Sequence, residues 1–338
     1  MKIKRYTSED MPLWDAFVKA SRNGTFLHER GYMDYHSDRF EDHSLMYYDE
    51  KGTLIAVLPA NISSSNHQIT PSSLSSHSGL TFAGFILAKS AKSRDVLELF
   101  DVTLDYLKQN GIETFVYKPA PTIYHLQPSQ DEEYALWQRG AQLDVCNLAV
   151  SIDLRSQQTI APTVNRSRCL RKALHEGYTI VESDDLAAFW PIVTDNLMQR
   201  YGAKPLHTLA EITLLKQRFP HNIRLWVALD ANQQIQGGIL IYETQQVAHC
   251  QYPHATSVGK AQGAIDLLYH HIIDYYINEK PAIRYFDFGT SNEQRGRYLN
   301  KNLISFKEGF GARGVTYKTY LIDNCNYQII TSSLIHHP

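Results

Sequence analysis

The chain has 338 residues, which is long for a single hydrophobic core and predicts two domains. Hydrophobic residues make up 43% of it and charged residues 20%, as in ordinary globular proteins. The formal net charge of -2 excludes the overall basic character of most nucleic-acid-binding proteins, but it does not exclude a local basic patch. The four cysteines lie far apart without a CxxC pair, and no segment reads as a signal peptide or a membrane span, so we expect a cytoplasmic protein that needs no metal.

The first half of the chain reads as one α/β unit. A short strand, "KIKRYTS", precedes a helix, "EDMPLWDAFVKAS", which Ser8 is expected to cap. Two strands then surround a turn at Lys51-Gly52, and the serine-rich segment 63–79 is predicted to be a hairpin tip or a loop beside the site. The strand "IETFVYKPAP" comes after a helix whose apolar face carries Leu97, Phe100, Leu104 and Leu107.

The second half repeats this order. A strand and a helix capped by Ser183 lead into a hairpin that turns at residues 231–234, and the strand "QVAHCQYPH" is added to it. The next helix and the strand "IRYFDFGTS" follow, and the apolar face of that helix carries Ile265, Leu268, Ile272 and Tyr275. We therefore predict the α/β class with an α+β mixed sheet, in two tandem domains, 1–155 and 156–338, with "RSQQTIAPT" as the boundary.

The order strand, helix, hairpin, helix, strand resembles the GNAT acyltransferase fold, and the tandem pair resembles the FemAB-like branch of that superfamily. The similarity extends over nearly the whole length, and the motifs that carry it are "FLHERGYMDYHSDRFEDHSL", "SHSGLTFAGF", "KPLHTLAEITLLKQRFP" and "FDFGTSNEQRGRYLNKNLISFKEGFGARG". The resemblance implies acyl transfer to an amine or hydroxyl, from acyl-CoA or, as in FemAB enzymes, from aminoacyl-tRNA. It does not name the acceptor, because a shared fold does not fix the substrate.

The resemblance also implies that the loop after the fourth strand of a unit opens a helix that holds the pyrophosphate of CoA. In the second half this loop is "TSVGKAQGA", and its candidate CoA-binding residues are Ser257, Val258, Gly259, Lys260 and Gly263. The loop departs from the family pattern, since neither arginine nor glutamine stands three residues before Gly259. An ordinary helix start is the alternative interpretation. The first half has no comparable glycines and is not expected to bind CoA.

Two strands of the second half carry candidate site residues. Alternation along "QVAHCQYPH" places His249, Gln251 and Pro253 on one face, where His249 is a candidate general base. The alternative is a partly buried histidine with a structural hydrogen bond. Asp287 lies in an otherwise apolar strand, so it must be paired or near water. It either accepts N–H bonds from the glycine-containing turn after it or orients the acceptor or a base.

The segment after this strand is predicted to begin a helix, with Ser291 or Asn292 as its cap and Glu293 in its first turn. The resemblance implies a tyrosine early in this helix that reprotonates the leaving thiolate, and Tyr298 stands nearest to that place. Glu293 is an alternative general base. The candidate acceptor contacts are Asp287, Ser291 and Asn292.

Three further features precede or follow these strands. Lys307 either extends harmlessly to solvent or, by the resemblance, holds a phosphate or carboxylate of a substrate. The resemblance makes His207 a candidate acceptor contact, although "HTLAE" also reads as a helix start with Thr208 and Glu211 as a capping box. The basic run "NRSRCLRKALHEG" predicts a helix with a solvated face or, by the resemblance, a surface that meets tRNA or a phosphorylated acceptor.

Three functions remain open. The first is transfer from acyl-CoA to a small or sugar-like acceptor, such as a cell-envelope precursor. The second is aminoacyl transfer from tRNA to a peptidoglycan precursor, which the lack of room for a long helical arm disfavours. The third is a non-catalytic binding protein that keeps the fold. The oligomeric state does not follow from the sequence.

Overall fold

The structure is a computed structural model that describes residues 1–63 and 72–324. The described residues divide into two compact units, one formed by residues 1–63, 72–146 and 317–324 and the other by residues 147–316. This division differs from the predicted one in two segments. Residues 149–153 pair with the strand that contains Asp287, and residues 320–323 pair with a strand of the first unit, so strand pairing determines both differences.

The first unit has a four-stranded antiparallel sheet in the order β1-β3-β4-β7, and its β3–β4 pair confirms the hairpin predicted at Lys51-Gly52. Residues 64–71 of the serine-rich segment lie outside the described residues. In chain order the elements are β1 (Lys2–Arg5), α1 (Met11–Ala20), α2 (Arg30–Met33), β2 (Glu41–Asp42), β3 (Leu45–Tyr48), β4 (Leu54–Leu58), β5 (Asn61–Ser63), β6 (Ser73–Ser75), β7 (Ile86–Leu87), α3 (Ser93–Gln109), β8 (Thr114–Tyr117), α4 (Asp131–Gln138) and β9 (Gln142–Asp153), which continues into the second unit.

The second unit is built on strands in the order β10-β11-β12-β13-β14-β9, of which β13 and β14 are parallel and the other neighbours antiparallel. Its elements are α5 (Val164–His175), β10 (Thr179–Ser183), α6 (Leu186–Tyr201), α7 (Leu209–Arg218), β11 (Ile223–Leu229), β12 (Ile235–Glu243), β13 (Val247–Ala255), α8 (Ser257–Gln262), α9 (Ala264–Asn278), β14 (Tyr285–Thr290), β15 (Asn292–Glu293), β16 (Tyr298–Leu299), α10 (Lys301–Glu308) and β17 (Arg313–Asp323), whose end returns to the first unit.

In the first unit, the end of β17 lies antiparallel to β8, and the order continues β8-β6-β5-β2. The predicted apolar face of α3 is buried, since Phe100, Leu104 and Leu107 all lie in the core of this unit with Phe85 and Phe115.

In the second unit, α9 covers one face of the sheet. Leu268 and Ile272 are fully buried there against Ile239, Ile241 and Phe286, as the predicted helical face requires. The opposite face carries α6, whose Phe189 lies so close to Gly238 that a Cβ on that glycine would meet the ring at 2.8 Å. The sheet is therefore covered by helices on both faces.

The structure confirms one predicted helix cap and corrects two. The Thr208 hydroxyl accepts from the Glu211 amide at 3.2 Å and the Glu211 carboxylate accepts from the Thr208 amide at 2.7 Å, which is the predicted capping box. Ser183 is not the cap of α6, because Asp185 accepts from the Ala188 amide instead. Likewise α1 begins after Asp10 rather than at Ser8. In the described part of the chain, no helix is long and apolar enough to cross a membrane.

Two glycines of the second unit have left-handed backbone conformations but different surroundings, so we expect their substitution by alanine to destabilise the protein to different extents. Gly202 at the end of α6 has a φ of +61° and open space around its missing Cβ, whereas Gly263, at +86°, would place a Cβ 2.4 Å from the Cys169 carbonyl oxygen. We expect Gly202→Ala to lower the free energy of unfolding by about 1 kcal/mol and Gly263→Ala by about 3 kcal/mol, because only the second displaces neighbouring backbone. Denaturant unfolding measures both, and equal losses would contradict this packing.

Candidate functional site

The parallel strands β13 and β14 separate part of the way along their length. Their pairing covers residues 247–249 and 285–287 and ends at His249 and Asp287. Beyond this point β13 continues to Ala255 beside β12, whereas β14 continues beside β9. A wedge-shaped gap therefore opens next to the last paired residues.

His249 and Asp287 form a hydrogen-bonded pair at the base of this gap. The His249 Nδ1 lies 2.8 Å from the Asp287 Oδ2, and the Asp287 Oδ1 accepts from the Gly289 amide at 3.0 Å. Asp287 is fully buried, and these bonds compensate the cost of removing its charge from water. Because the carboxylate accepts from Nδ1, the Nδ1–H tautomer is favoured and Nε2 carries the lone pair.

Gly289 allows the imidazole to occupy this place. Its φ is +70°, and a Cβ at this position would lie 3.2 Å from the Cε1 of His249. The turn after β14 thus supplies both an amide for the carboxylate and space for the ring. Asp287 thus accepts from the glycine-containing turn, which is one of the two predicted roles, and it also forms a hydrogen bond with the ring of His249.

A β-bulge corrects the predicted alternation along β13. Leu240 of β12 pairs with Tyr252 and Ile241 pairs with Cys250, so Gln251 is an extra residue in the strand. The bulge moves Tyr252 to the face that contains His249, where its ring contacts Trp190 of α6. Pro253 is moved to the opposite face. The prediction that Pro253 shares a face with His249 is therefore wrong.

A cavity of about 300 Å³ opens on the α9 side of the gap. Of the described residues, three cationic side chains and no carboxylate line it, so it favours an anionic group. Its lining consists of Arg200, Pro253, Ala255, Lys260, Ile265, Tyr269, Asn302, Leu303, Phe306 and Lys307. The sequence did not identify Arg200 or Tyr269, because they come from α6 and α9 and no local pattern distinguishes them.

Lys307 turns inward from α10 toward the gap. Its amine donates to the Gly289 carbonyl at 2.8 Å and to the Thr290 carbonyl at 2.7 Å, and the side chain is buried. The interpretation that it extends harmlessly to solvent is wrong. Burial lowers the pKa of Lys307 to about 8, which the nearby Asp287 and Cys250 partly oppose. Two of the three ammonium protons are used by these carbonyls, and the third remains for a group in the cavity.

The predicted phosphate loop folds into the short helix α8. The Thr256 hydroxyl caps it by accepting from the Gly259 amide at 2.9 Å. Gly259 is packed so that a Cβ would lie 2.1 Å from the Gln236 carbonyl oxygen, and Gly263 packs on Cys169. Ser257 and Val258 are exposed in the first turn. Both glycines are therefore required by packing, which supports the ordinary helix start over a loop built around phosphate.

Lys260 is the one loop residue that lines the cavity. Its amine contacts the Asn196 side chain of α6. Burial lowers the pKa of Lys260, and the neighbouring Arg200 lowers it further. The positive charges of Lys260 and Arg200 are thus brought together at the same cavity by the fold.

The segment from Ser291 to Asn300 corrects a predicted helix start. It forms the hairpin β15–β16, closed by Gln294, Arg295 and Gly296 in the left-handed region, with φ values of 51°, 54° and 86°. The helix α10 begins only at Lys301, where the Asn300 side chain accepts from the Leu303 amide at 3.0 Å. Asn300 followed by the apolar pattern of "LISF" was the signal for this later start.

The correction changes the position of four candidate residues. Tyr298 is 51% exposed on β16 and is not in the helix, so its predicted place early in that helix is wrong. Glu293 accepts from the Asn300 side chain at 3.0 Å. Asn292 accepts from the Leu148 amide, and Ser291 is buried, so neither of them is the cap. None of the four lines the cavity described above.

His207 lies before α7 and contacts β13. It is buried, and its Nδ1 lies 2.8 Å from the Tyr252 hydroxyl. Because the bulge places Tyr252 on the face of His249, this face carries two histidines and a tyrosine. Tyr252 was missed from the sequence, since simple alternation put it on the other face.

The basic helix α5 is only partly a solvated face. Arg166 pairs with Asp266 of α9 at 2.6 Å, and its guanidinium lies 4.6 Å from the centre of the Phe306 ring. Burial raises the pKa of Asp266 to about 6, against the opposing effect of Arg166. Arg168, Arg171 and Lys172 are exposed. Among the described residues, no group of three or more His, Cys, Asp or Glu side chains is placed to hold a metal ion.

Comparison with known proteins gives one family match within the second unit. Residues 165–298 match the family model described as an acetyltransferase (GNAT) domain. No curated protein sequence matches the chain significantly.

Solved structures match over nearly the whole chain. FemX has a TM-score of 0.68 at 12% identity, covering 96% of this chain and 97% of its own. A chain assigned as the C-terminal domain of a lysylphosphatidylglycerol synthetase from Agrobacterium fabrum has a TM-score of 0.59 at 12% identity, covering 94% and 92%. A tandem GNAT protein from the clavulanic acid biosynthesis pathway has a TM-score of 0.50 at 10% identity, covering 96% and 98%. The predicted mixed α/β fold with tandem GNAT-like domains is confirmed.

The hydrogen bond between His249 and Asp287 favours the Nδ1–H tautomer of His249, and we expect Asp287→Asn to change this tautomer. The Asp287 carboxylate accepts from two donors, His249 Nδ1 and the Gly289 amide, whereas asparagine has only one acceptor oxygen. The Gly289 amide always carries its proton and keeps that oxygen, so the side-chain NH₂ of the asparagine faces Nδ1. This arrangement favours the Nε2–H tautomer of His249. Ring ¹⁵N NMR of labelled histidine measures this change. We also expect a loss of about 1–3 kcal/mol in the free energy of unfolding.

The control for this substitution is Asp274→Asn on the exposed side of α9. It removes the same charge and should change neither the tautomer of His249 nor the stability of the protein appreciably. An unchanged His249 tautomer in the Asp287→Asn variant would contradict the hydrogen bond as described.

Proposed function

We propose, from the premise that this chain is a GNAT-superfamily acyltransferase with the tandem fold of the FemAB-like branch, that the second unit transfers an aminoacyl group from tRNA to an amine or hydroxyl of a cell-envelope precursor. The observation that carries the proposal is the His249–Asp287 pair at the point where β13 and β14 separate. A base held there lies on one side of the gap, and a cationic cavity lies on the other.

His249 serves as the general base in this proposal. The acceptor nitrogen or oxygen forms a bond to the acyl carbon while its proton passes to the Nε2 of His249. Asp287 stabilises the resulting imidazolium through Nδ1. The ester bond to the donor then breaks, and the donor hydroxyl leaves with a proton, which the imidazolium can return.

Lys307 supplies positive charge at the opposite wall. Its amine is fixed by the Gly289 and Thr290 carbonyls, in the turn that follows Asp287. A cation held in place before the reaction stabilises negative charge that develops on the acyl oxygen, at little cost of reorganisation. Arg200 and Lys260 line the same cavity and provide charge for donor phosphates.

The state of the α8 loop favours tRNA over CoA as the source of the acyl group. The Gly259 amide already donates to the Thr256 hydroxyl, and packing requires glycine at both Gly259 and Gly263. Residues 1–63 and 72–324 contain no long helical arm, and this is no objection, because FemX is matched over 97% of its length by this chain. Acetyl-CoA is the second candidate donor, favoured by the acetyltransferase family match to residues 165–298.

A donor assay tests the proposal. The purified chain is incubated with a mixture of labelled aminoacyl-tRNAs or with labelled acetyl-CoA, each with peptidoglycan-precursor and amino-sugar acceptors. We expect label to pass from tRNA to an acceptor. Transfer from acetyl-CoA alone would establish the second candidate in its place. Failure with both donors would contradict the proposal.

The role of the base predicts the behaviour of two histidine variants. His249→Ala should lower kcat/KM roughly 10²- to 10⁴-fold, because the proton acceptor is lost. His175→Ala on the exposed side of α5 is the matched control and should leave the rate unchanged. A His249→Ala variant that is folded and equally active would exclude His249 as the base.

Lys307 predicts a pH limit on the reaction. Its ammonium loses the proton as pH rises through about 8, so transfer that needs this charge should fall above that pH. Lys307→Met should lower kcat about 10²-fold or more at pH 7. Lys301→Met removes an exposed charge from the same helix and should have no such effect. If the residual activity of the Lys307→Met variant still falls above about pH 8, as in the unaltered protein, the loss of activity at high pH would come from another group.

A further inference from the structure

A cluster of basic side chains lies in the first unit and includes none of the residues used in the proposed reaction. It consists of His36, His77 and Lys118, and we refer to it as the His77 cluster. The rings of His36 and His77 have centroids 5.2 Å apart. The amine of Lys118 donates to the Leu80 carbonyl at 2.6 Å, on the same loop as His77.

The loop that carries His77 is held in a strained conformation. His77 has a φ of +52°, in a region that residues other than glycine seldom adopt. The loop is fixed by hydrogen bonds on both sides, since the Ser78 amide donates to Asn61 at 2.6 Å and the Ser76 hydroxyl accepts from the Lys118 amide at 2.8 Å. Strain that the surroundings hold in place is concentrated at functional sites.

The cluster has more hydrogen-bond donors than acceptors. His77 is buried, and its Nδ1 has no hydrogen-bond partner within residues 1–63 and 72–324. Lys118 uses one of its three ammonium protons on Leu80, and in the same ranges it forms no ion pair with a carboxylate. The nearby Asp42 is already engaged by Arg30 and by the Ser44 amide.

As a result, the charge of Lys118 is not compensated by a carboxylate among the described residues. Burial lowers the pKa of Lys118 to about 8. Burial lowers the pKa of His77 to about 3, and the positive charges of His36 and Lys118 lower it further. Each of these groups is charged more easily when an anion is next to it.

We propose that the His77 cluster is a binding site for a small oxyanion, namely a phosphate or carboxylate group of a ligand. Such a group accepts several hydrogen bonds and carries negative charge, which are the two properties that the cluster lacks. Lys118 is the main anchor, and the imidazole of His77 is a second donor. This site lies wholly within the first unit and does not depend on the proposed reaction.

Calorimetric titration of the full chain with inorganic phosphate, pyrophosphate and succinate tests the site. We expect at least one of them to bind at millimolar concentration or below, and the comparison of succinate with the phosphates identifies the class of oxyanion. Lys118→Met should weaken this binding at least tenfold. His77→Asn should weaken it severalfold, because asparagine keeps the left-handed backbone but lacks the ring.

Two lysine controls locate the bound anion. Lys89→Met removes an exposed charge from the first unit, and Lys301→Met removes one from the second unit. Both should leave this binding unchanged. Lys118→Met should also raise the unfolding temperature in the absence of anions, since an uncompensated charge is removed, and this shows that the variant folds. The absence of binding in the unaltered protein, binding that persists in Lys118→Met, or binding lost in Lys301→Met would overturn the proposal.

Discussion

The buried carboxylate of Asp287 is the constraint on which the candidate site depends. A fully buried charge must be compensated, and three groups do so here: the imidazole of His249, the Gly289 amide and, through its charge, Lys307. All three lie where β13 and β14 separate. The requirement to compensate one charge therefore places an imidazole and a cation on opposite sides of the same gap.

The bulge at Gln251 gives the two sides of this gap their different chemistry. Before the bulge, Ala248 and Cys250 face α9. After the bulge, Pro253 lies on the α9 side and Tyr252 faces α6. The α9 side thus becomes a cavity with apolar walls and three cations. The α6 side keeps His249, Tyr252 and His207, which suits the approach of a polar acceptor in the proposed reaction.

Expectations from the sequence succeeded where the signal was local. The capping box at Thr208 and the hairpin at Lys51-Gly52 depend on residues within a few positions of each other, and both are present. The helix predicted from Ser291 failed because a hairpin closed by three left-handed residues delays it to Lys301. Both alternatives had suitable capping residues, and the pairing of Glu293 with Tyr298 decided between them.

The sequence by itself determined the order of the elements, the apolar faces of α3 and α9, and His249 and Asp287 as candidates, because each follows from periodicity or from a polar residue in an apolar strand. Only the tertiary structure decided that these two residues, 38 positions apart, are hydrogen-bonded. It also turned Lys307 inward and paired Arg166 with Asp266, 100 positions apart. Strand register and a single bulged residue determine such contacts, and neither leaves a mark in the local sequence pattern.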